Sequence, residues 1–253
     1  MAVSPPQSVY FLGTCLIDLF SPEAGLAAVE LLERAGIQVI YPQDQSCCGQ
    51  PAWNSGYRAE ARRVIAAQLD LFPGDMPIVV PSASCAGMMR HHWPEAFEAG
   101  SEPARKAEAV ARRVVEWSDF LLRAVAPEWP RLENPEPVVI HDSCSARREM
   151  DVAGQARALL EQLGVEVREP ARAEECCGFG GSFSIKQADI SGAMLNDKIE
   201  ALSATGARIL LSQDCGCLMH IGGGLRRQGR NLETRHVAEH LLSLLRQAEG
   251  DEG

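Results

Sequence analysis

No run of apolar residues in the 253-residue sequence approaches the roughly 20 that a membrane-spanning helix needs. The opening MAVSPPQSVYFLG has no charged segment ahead of a long apolar one. Neither a membrane span nor a secretory leader is expected, and the reading is of a soluble, cytoplasmic protein. Basic residues are scarce beside acidic ones, 24 Lys and Arg against 34 Asp and Glu. The resulting net charge of −10 argues against a broad nucleic-acid surface. The familiar cysteine spacings are missing too. There is no C-x-x-C, the common mark of dithiol redox enzymes and zinc knuckles, and no ferredoxin-type C-x₂-C-x₂-C. No serine, histidine and carboxylate set and no paired carboxylates stand in a recognisable setting, so no catalytic residue is named.

What the chain has is nine cysteines in a repeated arrangement. QSCCGQ, carrying Cys47 and Cys48, returns as EECCGF, carrying Cys176 and Cys177. Cys15 precedes Cys47 by 32 positions, and Cys144 precedes Cys176 by the same 32, so the halves are offset by 129. A further cysteine follows each pair: Cys85 in the first half, Cys215 and Cys217 in the second. Each half therefore reads C, CC, C. A fixed period of this size implies a duplicated domain and not a solenoid. With 46% apolar residues the chain can bury a good core. Two domains are expected, 1–130 and 131–253, joined by the proline-rich and charged PEWPRLENPEP.

The order of elements is the same in both halves. The first gives a strand at 9–12, a helix opened by Ser21-Pro22-Glu23 and stopped at Gly36, a strand at 37–41, a helix over 57–71 and a strand at 77–81. A long amphipathic helix is expected over 102–126. The second half gives strands at 138–141, 165–168 and 207–211, with helices at 152–163, 188–203 and 233–245. The fold class is thus α/β: two duplicated domains, each a small, mostly parallel sheet flanked by helices. The cysteines fall at the C-terminal ends of strands, along the edge where open α/β sheets bind ligands. There they lie near helix N-termini, which favour thiolates.

Weaker signals accompany these. Gly178-Phe179-Gly180-Gly181 lacks the full dinucleotide spacing, and is read, with Gly222-Gly223-Gly224, as tight turns or close backbone approach. His141 and His220 each stand three residues from a cysteine, close enough to touch a cluster or the groups around its ligands, and are read first as hydrogen-bonded structural histidines. His91-His92 is read as surface, and Arg147-Arg148 as a solvated pair.

Four thiols per half are enough to hold one metal centre, and all-thiolate sites suit zinc or iron-sulfur clusters alike. The spacing leaves open a metal-free alternative, a thiol-disulfide oxidoreductase using the vicinal cysteines. It also leaves open a zinc-binding structural or scaffold role.

The segments GTCLIDLF, CCGQPAWNSGYRAEAR, PSASCAGM, HDSCSARRE, CCGFGGSFSIKQADIS, DCGCLMHIGG and HVAEHLL, spread over nearly the whole chain, resemble the tandem cysteine-rich, or CCG, domain family. That family includes the cysteine-rich component of heterodisulfide reductase and the iron-sulfur component of glycolate oxidase. The resemblance implies an iron-sulfur electron-transfer subunit of a complex that oxidises L-lactate to pyruvate, partnered by a ferredoxin-like iron-sulfur subunit and a third subunit. It implies cluster ligands at Cys15, Cys47, Cys48 and Cys85, and at Cys144, Cys176, Cys177 and Cys217. The cofactor implied is one iron-sulfur cluster per half, of the 4Fe–4S kind, with zinc an alternative at one site. Heterodisulfide reductase relatives use five cysteines per cluster. This chain has Ser82 and Asp214 where the first cysteine of their C-x-x-C stands, and both are expected in solvent-facing turns.

Overall fold

The computed structural model describes residues 5–251. It divides into two compact units, one ending at Ala126 and the other beginning at Pro127. The first holds strands β1 (Ser8–Phe11), β2 (Gln38–Ile40), β3 (Ile78–Val80) and β4 (Val114–Glu116), all parallel, in the order β2-β1-β3-β4. The second holds β5 (Val138–Ile140), β6 (Val167–Arg168), β7 (Ile209–Ser212) and β8 (Glu233–His236), parallel again, in the order β6-β5-β7-β8. The duplication is therefore one of topology as well as of cysteine spacing.

Parallel pairing demands a crossover between successive strands, and helices supply it. Helix Pro22–Arg34 joins β1 to β2 and buries Ala24, Ala27, Ala28, Leu31 and Leu32. Helix Ala188–Ser203 leads towards β7, and Val237–Asp251 follows β8. With helices on both faces, the central strands are apolar without alternation. Every residue of β3 and β7 is buried, whereas the edge strands β2 and β6 have none that is fully buried.

The fourth strand of each sheet corrects the sequence reading. The helix expected over 102–126 ends at Ala111, and Val114, Val115 and Glu116 pair with Ile78, Val79 and Val80 of β3. The β-branched pair Val114-Val115 fits a buried pleat, and the apolar spacing of its flanks hid it. Glu116 is buried at 1% exposure because its carboxylate accepts hydrogen bonds from the Ser118 and Asp119 N–H groups, at 2.9 and 3.1 Å, and so caps the next helical turn. The second half repeats the departure: the helix expected from 233 begins only at Val237, after β8.

In both sheets the chain leaves the first strand towards one neighbour and returns to pair on its other side. That reversal opens a crevice at the C-terminal ends of β1 and β3, and of β5 and β7. Cys15 and Cys85 follow β1 and β3; Cys144 and Cys217 follow β5 and β7.

Candidate metal centres

In the first half, Cys15 opens the helix Cys15–Phe20, which is capped by Thr14, whose Oγ1 accepts from the Ile17 N–H at 3.4 Å. The loop bearing Cys47 and Cys48 is carried to it by side chains. Gln45 accepts from the Gly13 N–H at 2.8 Å and donates to the Phe11 carbonyl at 3.2 Å, fixing the loop to the end of β1. Gln68, fully buried, accepts from the Ser46 N–H at 3.1 Å and donates to the Cys47 carbonyl at 2.8 Å. Trp93 Nε1 donates to the Cys48 carbonyl at 2.9 Å, and Gln50 Nε2 to the Ser84 carbonyl at 3.1 Å. These bonds bring Cys48 Sγ to 3.4 Å from Cys85 Sγ. Cys47 in turn shares hydrogen bonds with Cys15 and Cys48, so the four thiols form one contiguous group.

The charge in that group is uneven. Hydrogen bonds from Cys15 and Cys48, with the Gly49 N–H at 3.5 Å, draw the Cys47 thiol down to about 3. Cys15 and Cys48 are pushed up, first because each is the donor to Cys47 and then by burial. One thiolate can thus form readily while its neighbours keep their protons. A cation that displaced those protons would relieve the mutual repulsion of the sulfurs, so the donor set fits a thiolate-bound metal.

The second half is built the same way with different props. Lys198, 1% exposed, donates from Nζ to the Arg172 and Ala173 carbonyls at 2.8 and 3.5 Å, holding the loop ahead of Cys176. Ser191 Oγ donates to the Gly178 carbonyl at 2.7 Å. Cys176 is drawn down to about 2 by hydrogen bonds from Cys144 and Cys177 and by the Gly178 N–H at 3.3 Å. Cys144 and Cys177 are pushed up as its donors. Cys217 is lowered to about 7, chiefly by Cys177, with His141 acting in the same direction against burial. Cys144, Cys176, Cys177 and Cys217 therefore come together as Cys15, Cys47, Cys48 and Cys85 do. The donor atoms of His141, Cys177 and Cys217 lie within 4.8 Å of one another.

Several expectations are corrected. Ser82 and Asp214 do not face solvent: they are 5% and 2% exposed and stand immediately before the helices Ala83–Gly87 and Cys215–Arg227. His141 faces thiols: neither ring nitrogen has a nitrogen or oxygen partner among the described residues, and the group it acts on is the Cys217 thiol. His220, in contrast, keeps the hydrogen-bonded structural role expected of it, 3.3 Å from Ser191 Oγ with its ring packed against Phe179. His92 is half-buried, paired with Glu95 at 3.0 Å and beside Trp53. Arg147 reaches Asp142 at 3.2 Å, and burial pushes that carboxyl up. Gly222 to Gly224 make no turn. They lie inside the helix Cys215–Arg227, where a Cβ on Gly224 would meet Ile199 at 2.6 Å. Cys215 is buried.

The residues that sequence reasoning missed are Gln45, Gln68, Trp93 and Lys198. The only signal was weak. Gln68 is a buried polar residue in the turn after the helix Arg58–Ala66, three residues past Ile65, and Lys198 lies within the helix Ala188–Ser203, one residue before the buried Ile199.

A parallel sheet with a thiol group at its switch point, present twice, defines a tandem cysteine-rich protein. A cysteine-rich domain profile, CCG, matches residues 9–90 and 138–222, and the chain belongs to that family. Among its relatives, Lactate utilization protein A 2 of Bacillus cereus (strain Q1) is 40% identical over 229 residues, which is 90% of this chain and 95% of that protein. Lactate utilization protein A of Bacillus subtilis (strain 168) is 39% identical over 231 residues, 91% of this chain and 97% of that one. A crystal structure of a hypothetical protein from Helicobacter pylori shares the fold at a TM-score of 0.58 and 12% identity. It covers 96% of this chain, which spans 49% of that one. No described helix is long and apolar enough to cross a membrane.

Proposed function

We propose that the protein is the cytoplasmic iron-sulfur electron-transfer subunit of a complex that oxidises L-lactate to pyruvate. The observation that carries this is the convergence, twice over, of four thiols at the mouth of a parallel sheet. Cys15, Cys47, Cys48 and Cys85 would hold one cluster of the 4Fe–4S kind, and Cys144, Cys176, Cys177 and Cys217 another. The bound cluster supplies one-electron chemistry that no side chain here provides. The chain's own contribution is to fix the thiols, through Gln45, Gln68 and Trp93 in one half and Lys198 and Ser191 in the other, and to keep Cys47 and Cys176 ionisable. The choice of lactate is supported by the names and identity of the relatives; a ferredoxin-like subunit and a third subunit as partners follow only from the resemblance to the tandem cysteine-rich domain family.

A second reading, zinc in the second half, draws on the mixed sulfur and imidazole donors of Cys177, Cys217 and His141. Anaerobic purification, followed by iron, zinc and sulfide analysis and EPR on stepwise reduction, separates the two. About four iron and four sulfide per half, with reducible signals, supports electron transfer. Zinc without sulfide supports a structural role. A metal-free protein that retains thiol-disulfide activity would replace both.

A further inference from the structure

The offset of 129 residues that superposes Cys144 on Cys15 places His141 against Leu12. Both follow directly on the first strand of their sheet, and both are buried, at 2% and 0% exposure. Leu12 fills its place as any core residue would. His141 does not: an imidazole taken out of water is costly unless polar partners meet it, and neither ring nitrogen has a nitrogen or oxygen partner among the described residues. What faces the ring is sulfur. One of its nitrogens and the Sγ atoms of Cys177 and Cys217 all lie within 4.8 Å of one another. Donors at that spacing can share a single metal atom, whose bonds to nitrogen and sulfur run at roughly 2.0–2.3 Å.

We propose that His141 is a ligand, through one imidazole nitrogen, of the metal held by the second half, so that the two centres differ in kind: thiolate alone in the first, thiolate and imidazole in the second. The inference rests on the metal-thiolate reading of the eight cysteines and adds to it a donor that the cysteine spacing does not reveal.

The test is X-ray absorption at the edge of whichever metal the anaerobically purified full chain carries, iron or zinc, on wild type and on His141→Leu, which copies the first half. The expected result is an imidazole contribution in the wild-type shell that His141→Leu loses while the metal of the first half stays. A sulfur-only shell in the wild type overturns the inference whether or not the variant folds. So does an imidazole contribution that His141→Leu leaves unchanged. Either result leaves the metal-thiolate reading standing. A wild-type chain with no bound metal overturns that reading and the role of His141 together.

Discussion

The sulfurs of Cys48 and Cys85 touch at 3.4 Å although 37 residues separate them in sequence. Two thiols this close cannot both ionise cheaply in a buried setting, since each thiolate raises the cost of the other. The metal-free group must share its protons, and a bound cation removes the need. The contact also joins the β2 loop to the end of β3, so the metal site and the packing of the first sheet are one arrangement.

Removing one member of either group should therefore empty that group alone. Cys47→Ala is expected to abolish the metal of the first half and leave the second loaded, and Cys176→Ala to do the converse, because the two units are separately compact. Metal analysis with EPR on each variant reads this out. A variant that keeps its full metal and signal would show that the substituted cysteine is not a ligand.

Gln68→Met keeps the length of the side chain and removes its three hydrogen bonds, those with the Ser46 N–H, the Cys47 carbonyl and the Val64 carbonyl. The Ser46 N–H and the Cys47 carbonyl then lose a partner inside a buried loop. Each such loss costs about 1–3 kcal/mol, so denaturant unfolding of the first unit should shift by several times RT. The first centre should also be slower to form on reconstitution, the second unaffected. An unchanged midpoint would mean that water or a loop shift replaces the amide.

The α/β class was legible because it rests on period and punctuation. IVV in β3 and VVI in β5 are short β-branched runs bounded by prolines or polar residues, and the helix at 188–203 has the bounds its pattern gives. The fourth strands were hidden where a strand and a helix meet without a break. Val114-Val115 and Thr234-Arg235 each run straight into the next helix, so no glycine or proline marks the change. The cysteines of the site were legible through repetition. Their supports were not, since Gln68, Trp93 and Lys198 act through long-range contacts that leave no local pattern. His141 was visible as HDSC, and only the fold turns its ring towards sulfur.

His240 should make the second unit acid-sensitive. Burial, and then the positive charge of Arg235, lower it to about 4, while Glu233 opposes. Its unfolded value is about 6.5. The unfolded chain therefore binds the extra proton first, and the stability due to the neutral ring is whole above about pH 6.5 and is lost as the pH falls towards 4. Between about pH 7.5 and pH 4.5 the wild type should lose about 2 kcal/mol more than His240→Leu. Denaturant unfolding at the two values measures it. Equal losses in the two proteins would show that the ring is solvated or paired in the folded state.

Gly49 and Gly178 end the two cysteine pairs with the same backbone angle, φ +88°, yet their surroundings differ. A Cβ on Gly49 would meet Ile65 at 3.5 Å, an ordinary contact. Gly49→Ala should cost only the left-handed strain, about 1–2 kcal/mol, and the first centre should still load. On Gly178 the added carbon would meet the Ser191 carbonyl oxygen at 2.7 Å and Met194 Cβ at 3.0 Å. Ser191 sits on the helix Ala188–Ser203 and donates its hydroxyl to the Gly178 carbonyl. Relief thus requires the loop to lift off the helix, break that bond and carry Cys177 away from Cys217. Gly178→Ala should accordingly lose the metal of the second half as well as stability. Metal content and unfolding, measured on both variants, compare the sites directly. Equal behaviour would show that backbone angle alone, and not the close approach of the helix, sets the position of the second pair.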